Sequence, residues 1–312
     1  MWNILNRSHT NVHTIAYILG TVSILGYAVS FLRDRVFAHQ FGAGEVLDVY
    51  IASFRIPDIL FITATACISI YALLPIFEEK KRLGEQELRE FINTTFYFLL
   101  LFLAVGTVAL FFAIPVIAEH FFQGFSGESR ETFILFSRMF LIQASLFAVS
   151  SFFTALLQMK RKFLLYSLLP ILYNIGIIIG VLLLYPTYGA VGLAFGVLFG
   201  VLLSVGIQIP IILRNGGIPI PAPTRRMAAE TWRAVKMSLP RASALLSVVV
   251  ADIIIFSVFV SLSGGVLSIY YFADNLRAMP LVIVGVAYSV AAFPVLVSHY
   301  TQGAMDLSLI HI

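Results

Sequence analysis

About eight stretches of some 20 or more predominantly apolar residues recur along this chain, and most charged residues lie between them. An α-helix needs roughly 20 apolar residues to cross the hydrocarbon core of a bilayer. Within that core every backbone polar group must bond inside the protein, which favours helices. The pattern therefore predicts an all-α, polytopic bundle of transmembrane helices. The predicted stretches are about 12–32, 47–76, 91–117, 133–157, 164–185, 190–213, 239–262 and 266–297.

The composition excludes a soluble globular protein. Of the 312 residues, 60% are hydrophobic, only 12% are charged, and 28 are phenylalanine. A soluble core of this size cannot bury that much apolar surface. The net charge of +4 is explained by basic loops beside lipid headgroups, so it does not indicate binding to nucleic acid.

The distribution of lysine and arginine predicts the orientation of the chain, because short basic loops remain on the cytoplasmic side. Outside the spans, only Arg33, Arg35 and Arg130 fall on the opposite side. The amino terminus and, after eight spans, the carboxyl end are therefore expected in the cytoplasm. The basic residues on the predicted cytoplasmic side are Arg7, Lys80, Lys81, Arg82, Arg89, Lys160, Arg161, Lys162, Arg214, Arg225, Arg226, Arg233, Lys236 and Arg241.

A Gly/Pro-rich linker divides the chain into two predicted lobes. Residues 1–213 contain six spans and form the first lobe, and residues 239–300 contain the first two helices of a second lobe. Between them, residues 214–238 combine the linker with a segment predicted to lie on the cytoplasmic membrane surface as an amphipathic helix. Residues 301–312 are predicted to be a tail.

A weak internal repeat supports this division. The run from Gly44 to Tyr50 resembles the run from Gly265 to Tyr271, with a small gap, and each is followed by an arginine and then a proline. Repeated bundles around a central substrate site are a common plan for transporters. The repeat therefore favours a transporter built from two related lobes.

The charged residues of the segment 31–58 are the main functional candidates, because ionisable groups next to or within apolar spans are costly and usually functional. An arginine suits a phosphate or carboxylate ligand, since it stays charged and offers paired donors. A buried arginine without a partner is unfavourable, so Arg55 needs either such a ligand or an internal partner, Asp48 or Asp58. The sequence leaves both interpretations open. The charged residues of this segment include Arg33, Asp34, Arg35, Asp48, Arg55 and Asp58.

No pattern in the sequence points to catalysis. The six histidines show no metal-ligand spacing, and no glycine-rich motif is followed by a lysine that would hold a phosphate. No arrangement of serine, histidine and aspartate is evident. We therefore expect a protein that is not an enzyme, needs no cofactor or metal, and recognises a polar group within the bilayer.

Several short motifs lie in order along nearly the whole chain. They are Arg33-Asp34, Phe41-Gly-Ala-Gly44, Asp48, Phe54-Arg-Ile-Pro57, Pro75 with Phe77, Pro170-Ile-Leu-Tyr-Asn-Ile-Gly176, Gly189-Ala-Val-Gly-Leu-Ala-Phe-Gly196, Leu239-Pro-Arg241, and Tyr271-Phe-Ala-Asp274 leading to Pro280. Together they resemble the MurJ/MviN family of lipid II flippases. That family belongs to the multidrug/oligosaccharidyl-lipid/polysaccharide (MOP) exporter superfamily.

The resemblance implies a MATE/MOP-like fold in which a V-shaped pair of lobes encloses a cationic cavity. It implies a protein that flips lipid II, the undecaprenyl-pyrophosphate-linked peptidoglycan precursor, from the cytoplasmic to the outer leaflet of the bacterial inner membrane by alternating access. Arginines would grip the pyrophosphate while the polyprenyl tail stays in lipid. The expected partners are this substrate, membrane lipids and the cell-wall synthesis machinery. The candidate substrate-binding residues are Arg33, Asp34, Asp48, Arg55, Asn275 and Arg277.

The chain departs from the family pattern at several charged positions. Tyr27, Phe61 and the run 66–68 stand where the family often has an arginine or a Glu-Gly-Ala patch. In the eighth span Asn275 replaces an expected arginine, and Arg277 follows two places later, roughly 200° away around a helix. The predicted cationic site therefore has fewer positively charged residues than that of the family.

The family also has more spans than are predicted here, so we expect the sequence to be a truncated reading frame. Its last six residues, 307–312, correspond to the translation of a common sequencing-transposon end. Three other functions stay open: an exporter of a different lipid-linked oligosaccharide, a drug/ion antiporter, and a non-transporting membrane fragment. Drug antiport predicts an acidic cavity, whereas Asp252 and Asp274 are the only acidic residues predicted in the spans beyond the second.

Overall fold

The computed structural model describes residues 12–67, 70–159, 164–214 and 216–278. These residues form helices joined by short turns, and no strand occurs among them, which confirms the predicted all-α fold. The helices are α1 (Val12–Phe41), α2 (Glu45–Ala52), α3 (Arg55–Cys67), α4 (Ile70–Leu83), α5 (Glu85–Phe121), α6 (Gly127–Met159), α7 (Leu164–Ile179), α8 (Tyr185–Tyr188), α9 (Ala190–Arg214), α10 (Arg225–Leu262) and α11 (266–278). A π-helical turn, Gly180–Leu184, joins α7 to α8.

Five helical segments within the described ranges are long and apolar enough to cross a membrane. They coincide with the third to seventh predicted stretches. The first predicted stretch lies within α1, the second is divided among α2, α3 and α4, and the eighth begins in α11 and continues outside the described residues. The five segments are Glu85–Phe121, Gly127–Met159, Leu168–Tyr188, Ala190–Arg214 and Arg225–Leu262.

The second predicted stretch is interrupted at Ser53 and Phe54, which form a turn between α2 and α3. The Ser53 hydroxyl donates to the carbonyl oxygen of Val49 at 2.6 Å, at the end of α2. Pro57 lies in the first turn of α3, where a residue without an N–H group is tolerated best. The break places Asp48 on α2 and both Arg55 and Asp58 on α3, so that the charged residues of this stretch meet different parts of the chain.

Helices α7 and α9 cross in backbone contact, because glycines face each other where they meet. A Cβ atom on Gly176 would lie 2.2 Å from the Cα of Gly200, and one on Gly196 would lie 2.4 Å from the Cα of Gly180. Small residues permit such close approach, and van der Waals packing is a main source of helix association in lipid. The crossing fixes the position of α7 in the bundle. Asn174 lies on α7 and contacts Arg33 of α1.

The substitution Gly196→Ala is expected to destabilise the fold by about 1–3 kcal/mol, because the added methyl group must push α7 and α9 apart. The measurement is the midpoint of thermal unfolding of the purified protein in detergent micelles. Gly20→Ala in α1 is the matched control, since a Cβ atom there would have nothing within 4 Å. Equal midpoints for the two variants would contradict the close crossing.

The first half of α10 is fixed to α4 and α5 by ion pairs. The ammonium group of Lys80, whose side chain is only 5% exposed, lies 3.0 Å from Glu230. Arg226 lies 2.6 Å from Glu87. The predicted amphipathic segment within 214–238 is therefore the start of one continuous helix, which runs on through the seventh predicted span.

Candidate functional site

A cavity of about 350 Å³ is lined by residues of α1, α2, α3, α6, α7 and α11. Most of its wall is aromatic or aliphatic, and arginines enter it from two different helices. The polar residues that line it are Arg33, Tyr50, Arg55, Asp58, Gln143, Tyr173 and Tyr271. An apolar cavity with a small number of convergent polar groups is the usual form of a ligand site. This cavity is the candidate functional site.

Arg33 is held on both sides by polar partners. Its Nε and Nη2 atoms donate to Oδ1 of Asp34, at 2.9 and 2.7 Å, and its Nη1 atom donates to Oδ1 of Asn174 at 2.8 Å. The amide nitrogen of Asn174 in turn donates to the carbonyl oxygen of Pro170 at 2.9 Å. The guanidinium group is therefore oriented by α7 as well as by its neighbour in α1. Its side chain is 13% exposed.

Arg55 has a weaker set of partners. Its Nη1 atom lies 3.4 Å from Oδ2 of Asp58 and 3.2 Å from Oδ2 of Asp252 in α10. The guanidinium carbon lies 4.5 Å from the ring centroid of Phe256. The Nε atom is buried and has no hydrogen-bond partner among the described residues. Arg55 is therefore the cation of the cavity with donor capacity to spare.

Asp48 lies outside the cavity lining and joins α2 to the start of α11. Its Oδ2 accepts from the backbone N–H of Gly265 at 2.6 Å, and its Oδ1 accepts from the backbone N–H of Ser268 at 2.7 Å. The Ser268 hydroxyl makes a further short hydrogen bond to Oδ1. Asp48 is 2% exposed, so these donors replace the water that it lacks. Of the two internal partners that the sequence offered for Arg55, the structure has Asp58 and not Asp48.

The two candidate residues of α11 have different surroundings. The amide nitrogen of Asn275 donates to Oδ2 of Asp34 at 2.9 Å. Asn275 therefore contacts the ion pair of Arg33 with Asp34 through the carboxylate oxygen that Arg33 does not use. Arg277 is 76% exposed and pairs with Asp274 on its own helix, at 2.5 Å. It does not line the cavity. The helix is unbroken over 266–278, which explains why residues two places apart face different directions.

A third intramembrane arginine, Arg138, has a structural role. Pro115 has no N–H group, so the carbonyl oxygen of Phe111, four residues earlier in α5, lacks its helical donor. The Nε atom of Arg138 in α6 donates to that oxygen at 3.3 Å, and its guanidinium group lies 4.2 Å from the Phe111 ring centroid. This arginine therefore needs no ligand.

Two partners of the cavity arginines were missed by sequence reasoning. In the sequence, Asp252 stands out only as an acidic residue in the seventh span, and Asn174 only as part of a motif. A lone polar residue within an apolar span is a signal that a partner exists. The signal does not name the partner, because that depends on which helix face meets it. Across the described ranges, no group of three or more His, Cys, Asp or Glu could hold a metal ion.

Solved structures of transporters share this fold. A lipid II flippase MurJ in an inward closed conformation matches with a TM-score of 0.71 at 19% identity, covering 85% of this chain and 55% of that chain. An inward-facing multidrug resistance MATE family transporter matches with a TM-score of 0.72 at 14% identity, covering 94% of this chain and 68% of that chain. At these identities the matches show the fold alone. Apolar helices in this arrangement, around a largely apolar cavity that two arginines enter, define a helical membrane protein.

The family follows from the sequence comparisons. The family model "Lipid II flippase MurJ" matches residues 37–309, and the chain belongs to that family. A probable lipid II flippase MurJ of Haemophilus influenzae is 29% identical over 300 residues, which cover 91% of this chain and 58% of that protein. One from Rhizobium meliloti is 23% identical over 287 residues, 88% of this chain and 53% of that protein. The chain thus spans somewhat more than half the length of these relatives. The family is one of transporters and not of enzymes, as the sequence predicted.

Replacing Asp48 by alanine is expected to loosen α11, because each buried N–H group that loses its acceptor costs about 1–3 kcal/mol. Backbone hydrogen exchange of residues 264–270 should become faster by about tenfold or more, as 1.4 kcal/mol is a factor of ten. The measurement is hydrogen exchange by mass spectrometry on the protein in lipid nanodiscs. Glu45→Gln is the control, since Glu45 is exposed on the same helix. Unchanged exchange in Asp48→Ala would contradict the proposed contact.

Proposed function

We propose that the protein to which this chain belongs flips lipid II, the lipid-linked peptidoglycan precursor, from the cytoplasmic to the outer leaflet of the bacterial inner membrane. The observation that carries the proposal is the convergence of Arg33 and Arg55 on one cavity in a chain of the lipid II flippase family. The candidate ligand is the pyrophosphate of the substrate. The distribution of basic loops supports a cytoplasmic amino terminus in this proposal.

The size and chemistry of the cavity suit the pyrophosphate more than the whole headgroup. A volume of about 350 Å³ is near the lower end of the range for small-molecule sites. Paired N–H donors of arginine match phosphate oxygens, and these charge-assisted bonds strengthen where water is excluded. Arg33, already oriented by Asp34 and Asn174, supplies a fixed positive charge, and Arg55 supplies donors. The sugars, the peptide and the polyprenyl tail would remain outside this cavity.

Alternating access would use the contacts that join α1–α9 to α10 and α11. Three polar contacts do so at the candidate residues: Asp48 with the start of α11, Asp34 with Asn275, and Arg55 with Asp252. All three contacts must break for α10 and α11 to separate from α1–α9 at that end of the bundle. In the predicted orientation, the Asp48 contact lies toward the outer side and closes the cavity there. A substrate that binds one arrangement more tightly shifts the population toward it.

The lobes assigned from the sequence give this mechanism its moving parts. Residues 1–213 would form the first lobe, residues 239–300 the first two helices of a second lobe, and 214–238 the connection, with 301–312 as a tail. The continuity of α10 means that the connection and the first helix of the second lobe would form one helix, with Pro240 inside it. Membrane lipids and the cell-wall synthesis machinery, which makes and consumes lipid II, are the proposed partners.

An exporter of another pyrophosphate-linked oligosaccharide is the second candidate. It is favoured by one observation: Arg277 points away from the cavity and Asn275 stands beside it in place of a cation. The cavity then offers two arginines for the anion and few groups that would discriminate one attached sugar from another.

The test of lipid II flipping is exposure of the substrate on the outer leaflet. The coding sequence, with any coding sequence that follows it in its gene, is expressed in bacteria depleted of their own flippase. Exposure is scored with an enzyme that cleaves lipid II from outside. Arg33→Ala and Arg55→Ala should each lower the rate by about tenfold or more, because a hydrogen bond to a charged group contributes about 1.5–3 kcal/mol.

Arg35→Ala is the matched control for these variants, since Arg35 lies two residues from Arg33 on the same helix and is exposed. It should retain the wild-type rate. If the inserted protein gives no exposure of lipid II, but does expose another pyrophosphate-linked oligosaccharide, the second candidate replaces the first. Exposure that survives both cavity substitutions would contradict the assigned site.

A further inference from the structure

We propose that Asp252 is the resident counter-ion of Arg55 and that the pyrophosphate of the substrate displaces it. The displacement would release the second half of α10 from α3. Binding of the anion would thus be coupled to separation of α11 and the second half of α10 from α1–α9. This inference rests on the proposed function and deepens it. It assigns to Asp252 the role of a positioning residue that competes with the ligand.

The two arginines differ in how easily a ligand can engage them. Arg33 uses its Nε, Nη1 and Nη2 atoms in hydrogen bonds of 2.7 to 2.9 Å. Arg55 uses only Nη1 in the contacts observed, at 3.2 and 3.4 Å, and shares it between two carboxylates. Its buried Nε has no partner among the described residues. An incoming anion therefore loses least by replacing a partner of Arg55.

Asp252 is the replaceable one of the two carboxylates. Asp58 lies three residues from Arg55 on the same helix and lines the cavity, so it stays close in any movement of α3. Asp252 lies 197 residues away, on α10, and its side chain is 31% exposed. Its carboxylate is thus only partly enclosed by protein, so the pair costs less to separate than a pair of fully buried charges. A pyrophosphate offers several oxygens to the guanidinium fork, where Asp252 offers one contact.

The release would act on only one part of α10. The first half of the helix remains fixed by the pairs of Lys80 with Glu230 and of Arg226 with Glu87. Pro240 lies between this anchored half and Asp252, and a proline inside a helix removes one backbone hydrogen bond and favours a bend. Loss of the Arg55 contact would therefore let the helix beyond Pro240 move while its start stays in place.

The proposed coupling predicts whether removal of the Asp252 carboxylate strengthens or weakens binding of the anion. Because the ligand must break the pair, removing the carboxylate should strengthen binding of the anion, although it removes a polar group from the site. By linkage, the same substitution should favour the released arrangement before any ligand is added. A residue that merely stabilised the fold would give neither effect.

The experiment compares Asp252→Asn with Asp252→Glu, which keeps the charge, and with Asp274→Asn, which removes a partly exposed carboxylate of α11. Each protein is placed in nanodiscs in a Cys67→Ser background with spin labels at residues 183 and 262, both exposed. Affinity is measured for polyprenyl pyrophosphate. The distance distribution between the labels is measured alone and with inorganic pyrophosphate.

In the expected result, Asp252→Asn binds polyprenyl pyrophosphate about tenfold more tightly than the wild type, which corresponds to about 1.4 kcal/mol. Its label distances, without ligand, match those of the wild type with pyrophosphate. Asp252→Glu and Asp274→Asn behave as the wild type. Equal or weaker binding by Asp252→Asn, with unchanged distances, would overturn the inference.

The outcome is separate from that of the flipping assay. If inorganic pyrophosphate shifts the wild-type distances and not those of Asp252→Asn, exchange at Arg55 is supported even where lipid II fails to reach the outer leaflet. In that case the assigned cargo is wrong. If inorganic pyrophosphate does not shift the wild-type distances, the inference is overturned, whatever the flipping assay gives.

Discussion

The carboxylate of Asp48 accepts hydrogen bonds from the backbone N–H groups of Gly265 and Ser268, and the placement of α11 depends on this contact. A carboxylate among apolar helices needs donors, and the first turn of a helix offers N–H groups without a partner inside the helix. Both needs are met at one point. With α11 held there, Asn275 is close enough to bond Asp34, and the last described helix becomes part of the cavity wall.

The charges around the cavity follow the same requirement with different results. Arg33 makes three hydrogen bonds to partners in its own part of the chain, so it acts as a fixed positive charge. Arg55 is shared between an aspartate of its own helix and Asp252 of α10, and its buried Nε has no partner among the described residues. A site that must bind and then release an anion benefits from this difference, because one cation can orient the ligand while the other exchanges partners.

Much of the fold could be predicted, since apolar length and charge distribution are properties of short segments. The all-α bundle and the spans from the third to the seventh follow from them. The turn at Ser53 and Phe54 could not be predicted in the same way, because the apolar run continues across it. The continuity of α10 could not be predicted either, because this helix of 38 residues begins directly after a Gly/Pro-rich linker.

The sequence by itself determined that the protein is a helical membrane protein and that arginines and aspartates within its spans must have partners. Only the tertiary structure decided which partners they have. Arg55 and Asp252 are 197 residues apart, and Arg33 and Asn174 are 141 apart. Their meeting depends on how helices cross and rotate, as at the glycine contact of α7 with α9. Hydrophobicity acts locally along the chain, whereas an ion pair needs two side chains within a few ångströms of each other in space.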